Sequence, residues 1–576
     1  MKNIQTFMSN KKTTLVLMFF FSFQILKAQD DKIKFSAVSR ALQRNNTIQN
    51  PDTLNPNNTG SGNILLDLGI NINPDKRTEI QAIVRFNSNL GGFYGADAQA
   101  SLRQLCVKGI VGKFLNYQVG DLYMQLTPYT FFNNNSEGSV NEATVFKDIR
   151  KDFTNYENFS NKGNAWWQQG VHTNMAVALQ KLYFDTVRLD GFFLRNRSTN
   201  FAALPSTFQA GGKLTFSKTK STKFAINYLD LFDIRSTDKN KNMGRNPVTS
   251  FELNQYLINS ERKSLKLVGE VGLSKLIDSA TTIQGFFYDA GLQMHFKPKN
   301  IRVGVNYNYV DPFFYSSAAQ SKRVDYGKVP SIFPTSGNDP LNQSSRPLSM
   351  YDLVADPTIY NPSIVRTLMP YNIRYGNALP YGRATPNRTG VEINTQYKDS
   401  AQKVTLDASA AYLSNIVGEG TSELRKFIVL KAGLNLDLHK FIGWEKQLVF
   451  TSGYMFESTN RGGTSVEKIS FTNNLIDLGL TVETLKKLDF LLGYKNLNSK
   501  GNEYIAIRDI QNNIIDYAKI DNVNVTENIY AAGLKYRFSS ASYLTLQNSF
   551  SSVKDNTDAT PEFSFNQFMI LFNLNF

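Results

Sequence analysis

Along several long stretches of this 576-residue chain, side chains switch between apolar and polar at every step. That period of two constrains the fold more than any other feature, because a strand presents successive side chains to opposite faces. From Phe286 to Phe296 one face reads Phe286, Tyr288, Ala290, Leu292, Met294, Phe296, against Phe287, Asp289, Gly291, Gln293 and His295. From Ile428 to Leu438, Ile428, Leu430, Ala432, Leu434, Leu436 and Leu438 oppose Val429, Lys431, Gly433, Asn435 and Asp437. The same rhythm runs through Ile301–Tyr309, Leu488–Lys495 and Tyr530–Phe538. Glycine and charge recur on the polar face, and aromatics gather toward the ends of the apolar one. Segments of roughly 9–11 residues with this character fit a wall with lipid outside and water inside. A soluble sandwich or propeller also alternates, but with more even loops.

Connection lengths separate these readings. Short connections at Ser539-Ser540, Glu483–Lys487, Asp399–Gln402, Lys297–Asn300, Ser217–Thr222 and Asn73–Lys76 alternate with long ones. The long ones are 553–562, 497–525, 457–470, 311–387, 232–247 and 127–168. Proline presets the bend in Asn73-Pro74-Asp75-Lys76 and Lys297-Pro298-Lys299-Asn300. The pattern predicts an all-β fold, a transmembrane antiparallel up-and-down β-barrel with short periplasmic turns and long extracellular loops. Carried to the N-terminus, it predicts about 22 strands within a range of about 14–22. The first spans Lys32–Arg40 and the last Phe563–Phe576.

Residues 1–28 read as a signal peptide. Lys2, Lys11 and Lys12 precede an apolar run from Thr13 to Leu26, and Ala28 offers a cut before Gln29. The barrel is then expected to occupy 29–576. Beyond residue 28 no apolar run is long enough for a membrane helix. The formal net charge of +15 falls to +11 once the four leader lysines are removed. In an exported chain that excess points to outer-membrane lipid and lipopolysaccharide or to anionic solutes, not to nucleic acid.

The chain closes on Phe568, Ile570, Phe572, Leu574 and Phe576. Phe572, Leu574 and the terminal Phe576 resemble the C-terminal strand signal that outer-membrane barrels present to their insertion machinery. With the Ala28-Gln29 junction, the Asn-rich loops and the Lys/Tyr/Phe usage, the whole mature chain resembles barrels of the Bacteroidota. The resemblance is architectural and matches no specific transporter family.

Two inserts are too long for plain hairpin loops. Residues 311–387 hold 10 of the 18 prolines. They also hold Arg323, Tyr326, Arg346, Tyr351, Arg366 and Arg374, so they read as a constriction, a plug or an external ligand or partner surface. Residues 127–168 run through Asn133-Asn134-Asn135 to Trp166-Trp167. The Trp pair fits either an interfacial aromatic belt or a stacking platform for sugar or peptide.

Catalytic chemistry is not expected. The chain has no GxSxG, HExxH, Walker or dinucleotide-binding pattern. One cysteine (Cys106) and three histidines (His172, His295, His439) leave no material for a disulfide framework or a histidine metal site, and no cofactor is implied. Strand parity instead names candidate pore-lining residues. The cations are Arg85, Lys266, Arg302, Lys431, Lys495, Lys535 and Arg537, against the acids Glu79, Glu270, Asp289, Asp437 and Asp489, with His295 near the periplasmic rim. The expectation is a porin-like passive channel for small hydrophilic solutes, weakly anion-favouring. The alternative is a non-conducting barrel, an accessory or surface-recognition subunit of an envelope machine with an envelope protein partner.

Overall fold

The computed structural model describes residues 32–575 except 50–56, 90–97, 133–139, 157–167, 180–182, 198–205, 219–220, 235–243, 278–281, 321–323, 325–347, 362–363, 365–366, 509–513 and 558–561. The leader and its cleavage point lie outside the described residues. Twenty-two strands form the wall. The first seven are β1 (Ile33–Gln49), β2 (Asn57–Asp75), β3 (Thr78–Asn89), β4 (Gln99–Val111), β5 (Leu115–Asp121), β6 (Gln169–Ala178) and β7 (Thr186–Arg197). Next come β8 (Ser206–Lys218), β9 (Thr222–Ile234), β10 (Arg245–Asn259), β11 (Lys263–Ile277), β12 (Thr282–Phe296), β13 (Ile301–Val310), β14 (Arg388–Lys398) and β15 (Val404–Ser414). The last seven are β16 (Lys426–Asp437), β17 (Leu448–Arg461), β18 (Ile469–Leu485), β19 (Leu488–Arg508), β20 (Ile514–Arg537), β21 (Tyr543–Asp555) and β22 (Phe563–Asn575).

Each strand pairs antiparallel with its neighbours in sequence. The first and last strands close the ring, with Val38 opposite Asn575 and Gln49 opposite Ser564. Closure leaves the sheet no free edge strand, which is what allows strands to cross lipid. Large apolar side chains such as Phe286, Leu292, Leu430, Leu492, Leu534 and Phe568 stand exposed on the outer surface. A closed antiparallel barrel with this exterior is an outer-membrane β-barrel.

Several stretches expected as loops belong to the wall. β19 continues to Arg508 and β20 begins at Ile514, so only 509–513 of the expected 497–525 loop connects them. β17 runs to Arg461 and β18 starts at Ile469, which shortens 457–470 in the same way. β10 starts at Arg245 and β21 ends at Asp555, which trims 232–247 and 553–562. The 24 residues of β20, at roughly 3.4 Å each and a tilt of about 45°, rise on the order of 55 Å, about twice an apolar band of ~25 Å. Above the band the outer face meets water, while inner-face residues such as Ser499, Glu503 and Val525 stay buried. Polar pairs such as Asn502↔Asn522 then continue the ladder without hydrophobic alternation.

Inside the barrel, segments of both inserts pack on the wall. The first carries α1 (Thr144–Ile149), which continues as a π-helical stretch Arg150–Asn155, and the second carries α2 (Met350–Ala355). Ser349 starts α2, and its backbone N–H donates to Asp352 at 2.8 Å. Phe146, Ile149 and Phe153 of the first insert, with Met350, Leu353 and Val354 of the second, form an apolar cluster against the wall. Its wall members include Leu475, Leu491, Ile529, Met569 and Leu571. The inner face of β22 is therefore apolar as well as its outer face.

Candidate functional site

Four glycines form a shallow band on the inner faces of adjacent strands. Gly433 of β16 lies opposite Gly453 of β17, and Gly479 of β18 lies opposite Gly493 of β19. The first insert seats there. A Cβ added at Gly433 would lie 2.5 Å from Cγ1 of Val140, and one at Gly479 would lie 2.6 Å from Cβ of Ala143. At Gly493 it would lie 2.3 Å from Cγ1 of Val145. The absent side chains are what let residues 140–146 approach the wall so closely.

Charge then locks the segment in place. Glu142 accepts from Lys495 at 2.6 Å and from Arg150 at 3.0 and 3.1 Å. Lys495, 1% exposed, also donates to Asp477 at 2.5 Å. Burial by itself would push the Glu142 carboxyl up, but Arg150 and Lys495 hold it down at about 2. Further along, Asp148 pairs with Lys535 at 2.7 Å, and Asp152 accepts from the Tyr543 hydroxyl at 2.8 Å. Tyr156 donates to Asp67, where Arg85 and Arg103 also converge, and Arg40 stacks 3.0 Å from its ring centroid. Positions 148, 152 and 156 recur at one-turn intervals, which turns one side of the helix toward these wall groups. Buried pairs of this kind specify an arrangement more than they stabilise it.

The second insert is anchored by the same means. Glu527 of β20 accepts from Arg374 at 2.8 Å, from the Tyr375 hydroxyl at 2.7 Å and from the Met350 backbone at 2.6 Å. Asn377 donates to Glu457 at 2.9 Å and to Glu503 at 2.5 Å. On the opposite wall, Arg383 reaches Asp289 at 2.8 Å and Glu392 at 3.0 Å. Tyr129 of the first insert donates to Asp289 at 2.6 Å, and burial together with that carboxylate pushes its hydroxyl far above the ordinary value. Smaller apolar clusters join Phe131 to Phe192 and Leu231, Phe314 to Val248 and Phe287, and Ala378 to Leu413 and Phe427. The inserts thus meet the wall in nearly every sector.

The residues named from strand parity divide in two. Arg85, Lys495, Lys535 and Arg537 are engaged in ion pairs, Arg537 with Glu483 and Asp489 at 2.8 Å each. Glu79 pairs with Lys108 at 3.0 Å, and Asp437 with Lys440 of the short helix α3 (His439–Ile442) at 2.7 Å. Glu270 accepts from the Thr127 hydroxyl at 2.6 Å. Lys266, His295 and Arg302 instead line a cavity of about 640 Å³ toward the short-turn end of the lumen. Tyr351 donates to Gln567 at 2.5 Å inside the apolar cluster. Trp166, Trp167, Arg323, Tyr326, Arg346, Arg366 and Phe576 lie outside the described residues. Phe572 pairs with Ala41 and Leu544 across the closing strands, and Leu574 lies opposite Ser39.

Parity alone missed Glu142, Asp148, Asp477 and Glu527, the carboxylates that hold the inserts. One signal was present in the sequence. Phe568–Phe572 reads Phe-Met-Ile-Leu-Phe without a break, and a strand apolar on both faces is covered on both faces.

The cavity is walled by two continuous rows of cross-strand partners. Nearest the short turns the row runs Ser264, His295, Arg302, Gln396, Asp407 from β11 to β15. The next row runs Lys266, Gln293, Gly304, Asn394, Ser409, and its continuation, Lys431 of β16, lies outside the lining. Val140 of the first insert also lines this space. Four residues above Lys266, or about 13 Å along the strand, the Glu270↔Asp289 pair begins the acidic level that holds the inserts. The rows beneath that level carry Lys266 and Arg302 against Asp407. Among the described residues no group of three or more His, Cys, Asp or Glu side chains is placed to hold a metal ion.

No family model matches the chain. No curated protein matches it either. Solved structures similar to it over most of its length include a BenF-like porin from Pseudomonas fluorescens Pf-5, at 9% identity and a TM-score of 0.36, covering 95% of this chain and 99% of that one. They also include Pseudomonas aeruginosa OccK8 (OprE), at 10% identity and a TM-score of 0.36, covering 94% of this chain and 98% of that one.

Proposed function

We propose that this outer-membrane barrel is a porin-like passive channel for small hydrophilic solutes, weakly anion-favouring, which its two inserts constrict from the extracellular side. The observation that carries the reading is the polar cavity beneath the inserts, lined by side chains of adjacent strands with Lys266 and Arg302 among them. Lumen charges act on ions at close range with little competing solvent, so two cations facing this space bias entry toward anions. Export through a leader cleaved before Gln29, insertion by the barrel machinery, contact with lipopolysaccharide and a Bacteroidota origin belong to the same reading. They rest on the sequence.

Contact of the inserts with nearly every wall sector favours a second reading, a non-conducting plugged barrel that serves a partner in the envelope. Single-channel recording in a planar bilayer separates the two. A porin conducts as the wild type, and replacing Ser321–Ala384 by a short linker raises its conductance several-fold. A plugged subunit is silent until the same deletion is made. A folded protein that conducts identically with and without the segment sinks the constriction.

A further inference from the structure

We infer that the hollow walled by β11–β15 is a binding site for a small organic anion carrying hydroxyl groups, with a sugar acid as the simplest fit. The inference deepens the channel reading and rests on it in taking the lumen to be wetted from the periplasmic side. Its volume, about 640 Å³, falls within the roughly 300–1,000 Å³ of small-molecule sites.

Three features of the two rows carry the assignment. The first is charge. Lys266 and Arg302 face the hollow, while Asp407, the acid of its lining, sits at the far side and accepts from Gln396 at 2.8 Å. Lys266 and Arg302 against Asp407 leave the lining one net positive charge, which suits a monoanion. The acids that would repel such a solute stand about 13 Å further up the strands, where Arg383, Tyr129 and Thr127 occupy them.

The second feature is the chemistry between the cations. Gln293, Asn394 and Gln396 are amides, which donate and accept at once, and Ser264 and Ser409 add hydroxyls. A bare carboxylate needs donors only. Amides and hydroxyls spread along the wall suit a ligand whose remaining groups are hydroxyls.

The third feature is room. Gly304 sits in the middle of the upper row, and a Cβ there would lie 2.5 Å from Oδ1 of Asn394. The missing side chain opens the wall between Gln293 and Asn394, its neighbours in the ladder.

Isothermal titration of the full-length protein, purified and folded in detergent, tests the site with gluconate, glucose and acetate as probes. Gluconate is expected to bind about tenfold or more tighter than either of the others. Each lacks one of the two recognised features, and a charge-assisted hydrogen bond is worth about that factor or more. Lys266→Gln combined with Arg302→Gln should weaken gluconate by about tenfold or more. Gly304→Val should abolish binding with the charge unchanged. Heat-modifiability on gels reports that each variant is folded, and if Gly304→Val does not fold, the charge variant decides. Glucose binding as well as gluconate, or full affinity in the folded charge variant, overturns the site. A protein that binds gluconate but stays silent in a bilayer keeps the site and loses the channel. One that conducts without binding gluconate loses the site and keeps the channel.

Discussion

Glu142 shows what a single side chain does in this lumen. Its carboxyl is held at about 2, against an ordinary value of 4.5, because Arg150 and Lys495 offset the burial that would raise it. A carboxylate depressed in the docked state stabilises that state fully above its ordinary value, and the contribution disappears as the pH falls through the depressed one. Acid should therefore loosen the first insert between pH 4.5 and about 2. Limited proteolysis across that range would report cleavage near α1 rising as the pH drops. In Glu142→Gln the insert should be loose already at neutral pH, with a flatter profile. Asp148, whose carboxyl burial pushes up, also protonates in acid, so the difference between variant and wild type is the quantity to read. Equal profiles would remove Glu142 from the clasp.

At the scale of elements, the glycine band shows how a wall strand receives an insert. Gly493 leaves no space for a side chain, since its Cβ would stand 2.3 Å from Val145. Gly493→Leu should thus displace α1 from β19 while leaving the ladder intact, because a strand tolerates leucine in its backbone conformation. The expected readout is an unchanged far-ultraviolet β signal with faster proteolysis of residues 142–156. Retained protection would show that the insert does not depend on the band. Hairpins carry a second expectation, set by their lengths. An epitope tag inserted within 509–513, between the two longest strands, should be labelled on intact cells, whereas one within Lys297–Asn300 should be silent until the cells are permeabilised. Labelling of the short turn on intact cells would reverse the orientation.

On the scale of the whole molecule, everything depends on one seam. β22 must pair with both β21 and β1, and it also presents Met569 and Leu571 to the apolar cluster inside. The terminal strand therefore closes the ring and seats the inserts together. Phe576→Asp places a charge at the end of the segment that resembles the insertion signal. It is expected to lower the amount of heat-modifiable protein in the outer membrane severely. Normal levels would show that the terminal aromatic plays no part in assembly.

Much of the wall was legible in the chain. The alternation of Phe286–Phe296 and Ile428–Leu438 identified outward and inward positions, and the short turns marked one rim. The strand count followed. These are local properties, because face and turn depend on residues a few places apart. Two things were not legible. Polar strand ends such as Asn498–Asn502 lose alternation where water bathes the outer face and the inner face meets polar groups, so the hairpins read shorter than they are. The clasp was hidden for a different reason. Glu142 and Lys495 stand 353 residues apart in sequence, and no periodicity brings them together. Whether an inward charge faces solute or a carboxylate of an insert depends on where that insert folds back across a closed ring. The chain dictates that lining residue by residue, but only the assembled barrel determines which of its charges are already taken.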